Sequence, residues 1–266
     1  MLLAETLLAA RRSGSPIVVP YLMVDRRRLG PLRATVEALK AGGASALELG
    51  FPFSDPIADG PVLEAASGRA LDHGTRWRDL LEAARAASAV LPTAVMTYAN
   101  PVWQEGLGSG IQQLKNSGVS GLIVPDLSLE EAGPWSTAAR ENDLALVLMA
   151  APGSPAERIR RLARASRGFL YLVSRYGTTG AAARDTSVDL SPIVRAAHTS
   201  APNLPVLIGF GVGDRASAAR ALATGADGVV VGTALEELLQ RHPSSRRISA
   251  WIREIASASR PRPGAV

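Results

Sequence analysis

Eight short apolar runs, each followed by a stretch with helical spacing, constrain this chain more than any other feature. The runs occupy residues 17–23, 45–49, 93–98, 121–124, 144–149, 169–173, 205–208 and 228–231. Uninterrupted Val/Ile/Leu strands alternating with helices belong to a parallel sheet covered by helices. Helical spacing is read over 32–39, 77–90, 107–117, 130–142, 155–165, 191–198, 215–224 and 234–255, with one more stretch, 2–12, ahead of any strand. Eight such units in 266 residues match the size of a (β/α)8 barrel, whereas a doubly wound sheet would not need eight equal repeats. The expected fold class is α/β, a (β/α)8 TIM barrel with an extra N-terminal helix. Residues 1–259 would form one domain and 260–266 a flexible C-terminal tail.

In a barrel, chemistry sits where strands end and loops begin. The longest intervals follow the second and sixth strands and hold residues 51–64 and 174–189. The later one, SRYGTTGAAARD, suits either a moving lid or a plain surface connection. The earlier one continues a strand, Ala46-Leu47-Glu48-Leu49, that places a carboxylate inside an apolar run. It then breaks at Gly50 and Pro52 into a loop with Asp55 and Asp59. A carboxylate in hydrocarbon surroundings is unfavourable unless paired or protonated, and either condition shifts its pKa. Spacing leaves two readings open for Glu48 and Asp59: an acid/base pair, or a structural Glu with turn-forming Asps.

Two glycine-rich turns lie where barrels commonly hold phosphate. Gly209-Phe210-Gly211-Val212-Gly213 follows the seventh strand, and Val231-Gly232-Thr233-Ala234 leads from the eighth into a helix. Glycine lets main-chain N–H groups approach an anion, and a helix N-terminus adds its positive dipole end. The same glycines could also simply make tight strand-to-helix turns.

Composition removes other classes. There is no cysteine, hence no disulfide, thiolate metal site or cysteine nucleophile, and His73, His198 and His242 show no ligand spacing, so no metal site is expected. The net charge of +5 comes from dispersed arginines with two lysines, Lys40 and Lys115. Short clusters such as 26–28 carry no interleaved aromatics, which argues against nucleic acid. No apolar run reaches membrane-spanning length, and Glu5, Arg11 and Arg12 interrupt the first segment, so neither a membrane span nor a secretory signal is expected. A cytoplasmic protein is the expectation.

The order ELGFPFSDPIADGP, MTYANP (96–101), VPDL (124–127), YLVSRYGTTG (171–180), GFGV (209–212) and VVVGTA (229–234) resembles the tryptophan synthase alpha chain family, over about residues 17–239. The resemblance implies a barrel lyase that cleaves indole-3-glycerol phosphate to indole and glyceraldehyde 3-phosphate by a retro-aldol route, as the alpha subunit of tryptophan synthase in L-tryptophan biosynthesis. It implies no cofactor in this chain, pyridoxal phosphate being expected only in a beta chain, with which it would form an alpha-beta-beta-alpha assembly. Glu48 would be the general acid/base and Asp59, as an ionised loop carboxylate, would bond the indole N–H. Tyr171 would help place Glu48, and Thr179 would close onto Asp59, while Arg175 in the same segment gains no definite role. Phosphate would lie against Gly180, Gly211, Gly232 and Thr233 beside Phe210. Tyr21, Met96 and Ile123 would wall the indole pocket, or else serve ordinary barrel packing. Partner contacts would come from the loops at 52–56, after Asn100 and after Asp126. The chain departs from the family pattern at Met23-Val24-Asp25-Arg26-Arg27 and at Leu127-Ser128. Those departures admit a standalone lyase releasing free indole, and a non-catalytic binding subunit is the remaining alternative.

Overall fold

The structure, a computed structural model, describes residues 2–174 and 189–258. Its strands are β1 (Ile17–Met23), β2 (Leu47–Gly50), β3 (Thr93–Met96), β4 (Gly121–Ile123), β5 (Ala145–Val147), β6 (Met149–Ala150), β7 (Leu170–Val173), β8 (Val206–Gly209) and β9 (Gly228–Val231). All pairings are parallel, in the order β5-β4-β3-β2-β1-β9-β8-β7-β6. The two ends of that order are halves of one strand, interrupted only at Leu148. Its first half pairs with β4 and its second with β7, so the sheet closes on itself and a doubly wound arrangement is excluded.

Among the described residues the helices are α1 (Leu3–Arg12), α2 (Leu29–Ala41), α3 (Pro61–Asp72), α4 (Trp77–Ser88), α5 (Ala99–Gln104), α6 (Leu107–Asn116), α7 (Ala132–Glu141), α8 (Ala156–Ala165), α9 (Ser191–Ser200), α10 (Arg215–Ala223), α11 (Thr233–Gln240) and α12 (Ser245–Ala256). None is long and apolar enough to cross a membrane.

Period-two geometry sorts each strand's side chains between two cores. On β1, Ile17, Val19, Tyr21 and Met23 fill the barrel interior, while Val18 and Leu22 pack against the helices. The same parity sends Leu47 and Leu49 of β2 outward. Glu48, between them, points into the barrel, where hydrocarbon would otherwise sit. Leu3 and Leu7 of α1 are fully buried with the interior set, so the additional helix plugs the barrel floor.

Three expectations change. The loop after β2 ends at Gly60 rather than Glu64, because Pro61 starts α3 at a position where its missing N–H is harmless. The segment 99–104 is a short helix, α5. The final 234–255 stretch is two helices: His242 takes a left-handed φ of 47°, Pro243 follows, and the Ser244 side chain accepts from the Arg247 N–H to start α12. The tail 260–266 lies outside the described residues.

Candidate active site

The loop from Phe51 to Gly60 is pinned at several points. The Phe51 N–H donates to the Met96 carbonyl at 2.9 Å, tying the loop's start to the end of β3. Ser67 of α3 accepts from the Phe53 N–H and donates to the Phe53 carbonyl, both at 2.8 Å. The Phe53 ring stacks on Tyr98 with centroids 4.9 Å apart, and the Ala58 N–H donates to the Tyr98 hydroxyl at 2.9 Å. Asp59 is therefore held on both sides of its own backbone position, directly before α3. It is only 4% exposed, so it is not the solvated loop carboxylate that its sequence context suggests.

Glu48 and Asp59 face one cavity of about 230 Å³. Glu48 is fully buried, and neither of its oxygens, nor Oδ1 of Asp59, has a hydrogen-bond partner among the described residues. Burial, reinforced by the charge of Asp59, pushes the Glu48 carboxyl up to about 8. Burial, with a contribution from Glu64, pushes Asp59 up to about 6. Near neutrality the pair therefore holds one proton on Glu48 and leaves Asp59 ionised. Two neighbouring carboxyls separated in this way supply an acid and an anion at the same pH.

Two tyrosines frame the pair. Tyr21 and Tyr171 both line the cavity, and each hydroxyl lies over a strand-end glycine. A Cβ on Gly50 would fall 1.9 Å from the Tyr21 hydroxyl, and one on Gly209 would fall 2.3 Å from that of Tyr171. Burial, then the negative charges of Glu48 and Asp59, hold the Tyr171 hydroxyl well above its ordinary pKa, so it stays a neutral donor.

The far end of the cavity is main chain. Phe210 takes a left-handed φ of 68° and Gly211 one of 80°, turning β8 back over the mouth. A side chain with φ in this region is strained, a condition that gathers at binding sites. The Ser174 hydroxyl donates to the Phe210 carbonyl, and the Phe210 ring meets Tyr171 edge-on at 6.1 Å. Gly232 forms the N-cap of α11 and Thr233 its first residue. A Cβ on Gly213 would come 2.8 Å from that of Ala234, so the two turns pack directly together.

Of the residues singled out in the sequence, Glu48, Asp59, Tyr21, Met96, Tyr171, Phe210, Gly211, Gly232 and Thr233 line the cavity together. Ile123 does not: it is fully buried in the barrel interior. Thr179, Gly180 and Arg175 lie outside the described residues. The sequence reading missed Leu63, Val230 and Glu237 in the lining, and Tyr98 behind it. The tyrosine sits in the motif MTYANP, so that signal was available. No group of three or more His, Cys, Asp or Glu among the described residues could hold a metal ion.

Comparison with known proteins finds relatives over nearly the whole chain. The sequence model of the family described as "Tryptophan synthase alpha chain" matches residues 7–259. The tryptophan synthase alpha chain of Oceanobacillus iheyensis is 39% identical over 231 residues, 85% of this chain and 86% of that one. The Chloroflexus aggregans alpha chain is 38% identical over 264 residues, 97% of each. A solved structure of Mycobacterium tuberculosis tryptophan synthase superposes with a TM-score of 0.86 at 35% identity, covering 97% of this chain and 98% of that one.

Proposed function

The chain belongs to the tryptophan synthase alpha chain family, and from that premise we propose how its cavity carries the family's reaction, with residues 1–259 acting as one barrel domain. The reaction cleaves indole-3-glycerol phosphate to indole and glyceraldehyde 3-phosphate in tryptophan biosynthesis, and the chain serves as the alpha subunit beside a beta chain. That biosynthetic role puts its work in the cytoplasm.

Glu48 begins protonated and delivers its proton to C3 of the indole ring, leaving positive charge shared with the ring nitrogen. Asp59, ionised, accepts the ring N–H and stabilises that charge. Glu48, now a carboxylate, takes the proton of the adjacent side-chain hydroxyl. The oxygen lone pair becomes the aldehyde C=O, the C–C bond breaks, and its electrons return to the ring. Protons and charge balance, and Glu48 ends as it began. Tyr171 and Tyr21 confine the ring, with Met96 on its wall. The phosphate rests on the main chain of Gly211, Gly232 and Thr233 beside Phe210, at the dipole end of α11. No cofactor is assigned to this chain, pyridoxal phosphate being expected only in the beta partner.

The observation that carries the reading is the pair of buried carboxyls on one cavity, with pKa values displaced to about 8 and about 6. Indole release by the purified chain, measured with and without an added beta chain, tests it. Release that the beta chain strongly stimulates is expected. Full activity alone would favour a standalone lyase, and no turnover in either state a binding subunit. Glu48→Gln should lose nearly all turnover yet still bind glycerol 3-phosphate; retained turnover would remove Glu48 from the chemistry.

A further inference from the structure

The acid/base chemistry gives no task to the arginines that follow β1, Arg26–Arg28. The structure gives one a partner. Nη1 of Arg28 donates to both carboxylate oxygens of Glu236 at 2.9 Å, and Nη2 of Arg69 lies 3.4 Å from Oε1 of the same group. Glu236 is 2% exposed and sits in the first turn of α11, whose N-terminus opens on the cavity. Arg69 belongs to α3, the helix into which Asp59 leads. One buried carboxylate thus joins the turn at Arg26–Arg28, α3 and α11.

The charges around the cavity give this junction a consequence. The described residues that line the cavity include three acidic side chains, Glu48, Asp59 and Glu237, and no arginine, lysine or histidine. A ligand ending in a phosphoryl dianion meets only main-chain donors there, and the field of one short helix. A lone carboxylate in that helix's first turn would oppose the ligand. Two guanidiniums on the one carboxylate reverse the sign: two positive charges against one negative leave the trio at +1 behind the phosphate seat. A partly buried charge is screened less by salt than an exposed one.

We propose that Arg28 and Arg69, bridged by Glu236, set the affinity of the site for the phosphate end of its substrate. They touch no reacting atom and act through the potential at the N-terminus of α11. The proposal rests on the phosphate reading given above.

The dissociation constant of glycerol 3-phosphate, measured by calorimetry, tests both and separates them. Arg28→Ala takes the trio to zero net charge and should weaken binding about tenfold, the upper range of a helix-terminus charge effect, with kcat at saturating indole-3-glycerol phosphate unchanged. Arg28→Ala/Glu236→Gln restores +1 through Arg69 although the bridge is gone, and should return binding close to the parent value. Glu236→Gln alone keeps both guanidiniums and should bind at least as tightly as the parent. A bridge acting only as a mechanical brace would weaken all three variants alike. That pattern, or unchanged binding in Arg28→Ala, overturns the proposal. Should Arg28→Ala fail to fold by circular dichroism, Glu236→Gln decides, since weaker binding there contradicts an electrostatic role. A parent chain that does not bind glycerol 3-phosphate would instead defeat the phosphate reading itself.

Discussion

Glu48→Gln should make the protein more stable, and increasingly so as pH rises. The carboxyl is pushed up to about 8 in the folded chain, from an ordinary value of 4.5, because it is fully buried beside Asp59. Between those values the folded state holds a proton that the unfolded state has released. Stability linked to Glu48 is therefore complete below pH 4.5, falls as pH rises, and levels off above about 8. At 1.36 kcal/mol per pH unit the loss is about 3 kcal/mol at pH 7 and about 5 kcal/mol at pH 9. Glutamine has the same shape and never ionises, so the variant escapes the loss. Urea unfolding of parent and variant at pH 5, 7 and 9 measures it. The difference should grow from under about 1 kcal/mol at pH 5 to about 5 kcal/mol at pH 9, at equal m-value. Against a total stability of about 5–15 kcal/mol this is a large effect. A difference that does not change with pH, or a variant less stable than the parent at pH 9, would refute the claim that Glu48 is a desolvated acid.

Further predictions follow from the same site. The pH profile of kcat/KM should rise through about 6 as Asp59 loses its proton and fall through about 8 as Glu48 does. Asp59→Asn should abolish the acid limb and move the alkaline limb below 8; an unmoved alkaline limb would show that the two groups do not interact. Gly209→Ala drives a methyl to within 2.3 Å of the Tyr171 hydroxyl and should cost about 1–3 kcal/mol in urea unfolding, together with a fall in rate. Gly68→Ala, at an exposed position inside α3 with nothing within 4 Å of the added methyl, should instead raise stability by about 0.5–1 kcal/mol through helix propensity and leave the rate unchanged. Tyr98→Phe removes the acceptor for the Ala58 N–H and should lower kcat about three- to tenfold, the worth of one hydrogen bond. An unchanged kcat would mean that Asp59 is positioned without it.

Much of this architecture was legible because strand parity is a local signal. Eight apolar runs imply eight strands, and a lone Glu between outward-facing Leu47 and Leu49 has only the barrel interior to occupy. Capping chemistry could also have been read further, since Gly60-Pro61 and His242-Pro243 mark a helix start and a helix break. Burial of Asp59 was not legible, because it depends on Tyr98 and on Ser67 of α3 closing over a loop that looks solvated in isolation. Leu63 reaches the cavity from the first turn of α3 and Glu237 from just beyond the first turn of α11, so their facing is decided by how α3 and α11 dock. The contact of Arg28 with Glu236 spans 208 residues of sequence, and no local pattern announces it.

Among the described residues the oxygens of Glu48 have no hydrogen-bond partner, which has a consequence for anyone redesigning this protein. A carboxyl gripped by a serine hydroxyl or a main-chain amide would be fixed in one rotamer, whereas the proposed reaction asks this one to serve two substrate atoms within one catalytic cycle. Automated stabilisation, which rewards every buried acceptor that gains a donor, would tether this group first. The result would be a sturdier barrel whose proton carrier no longer travels.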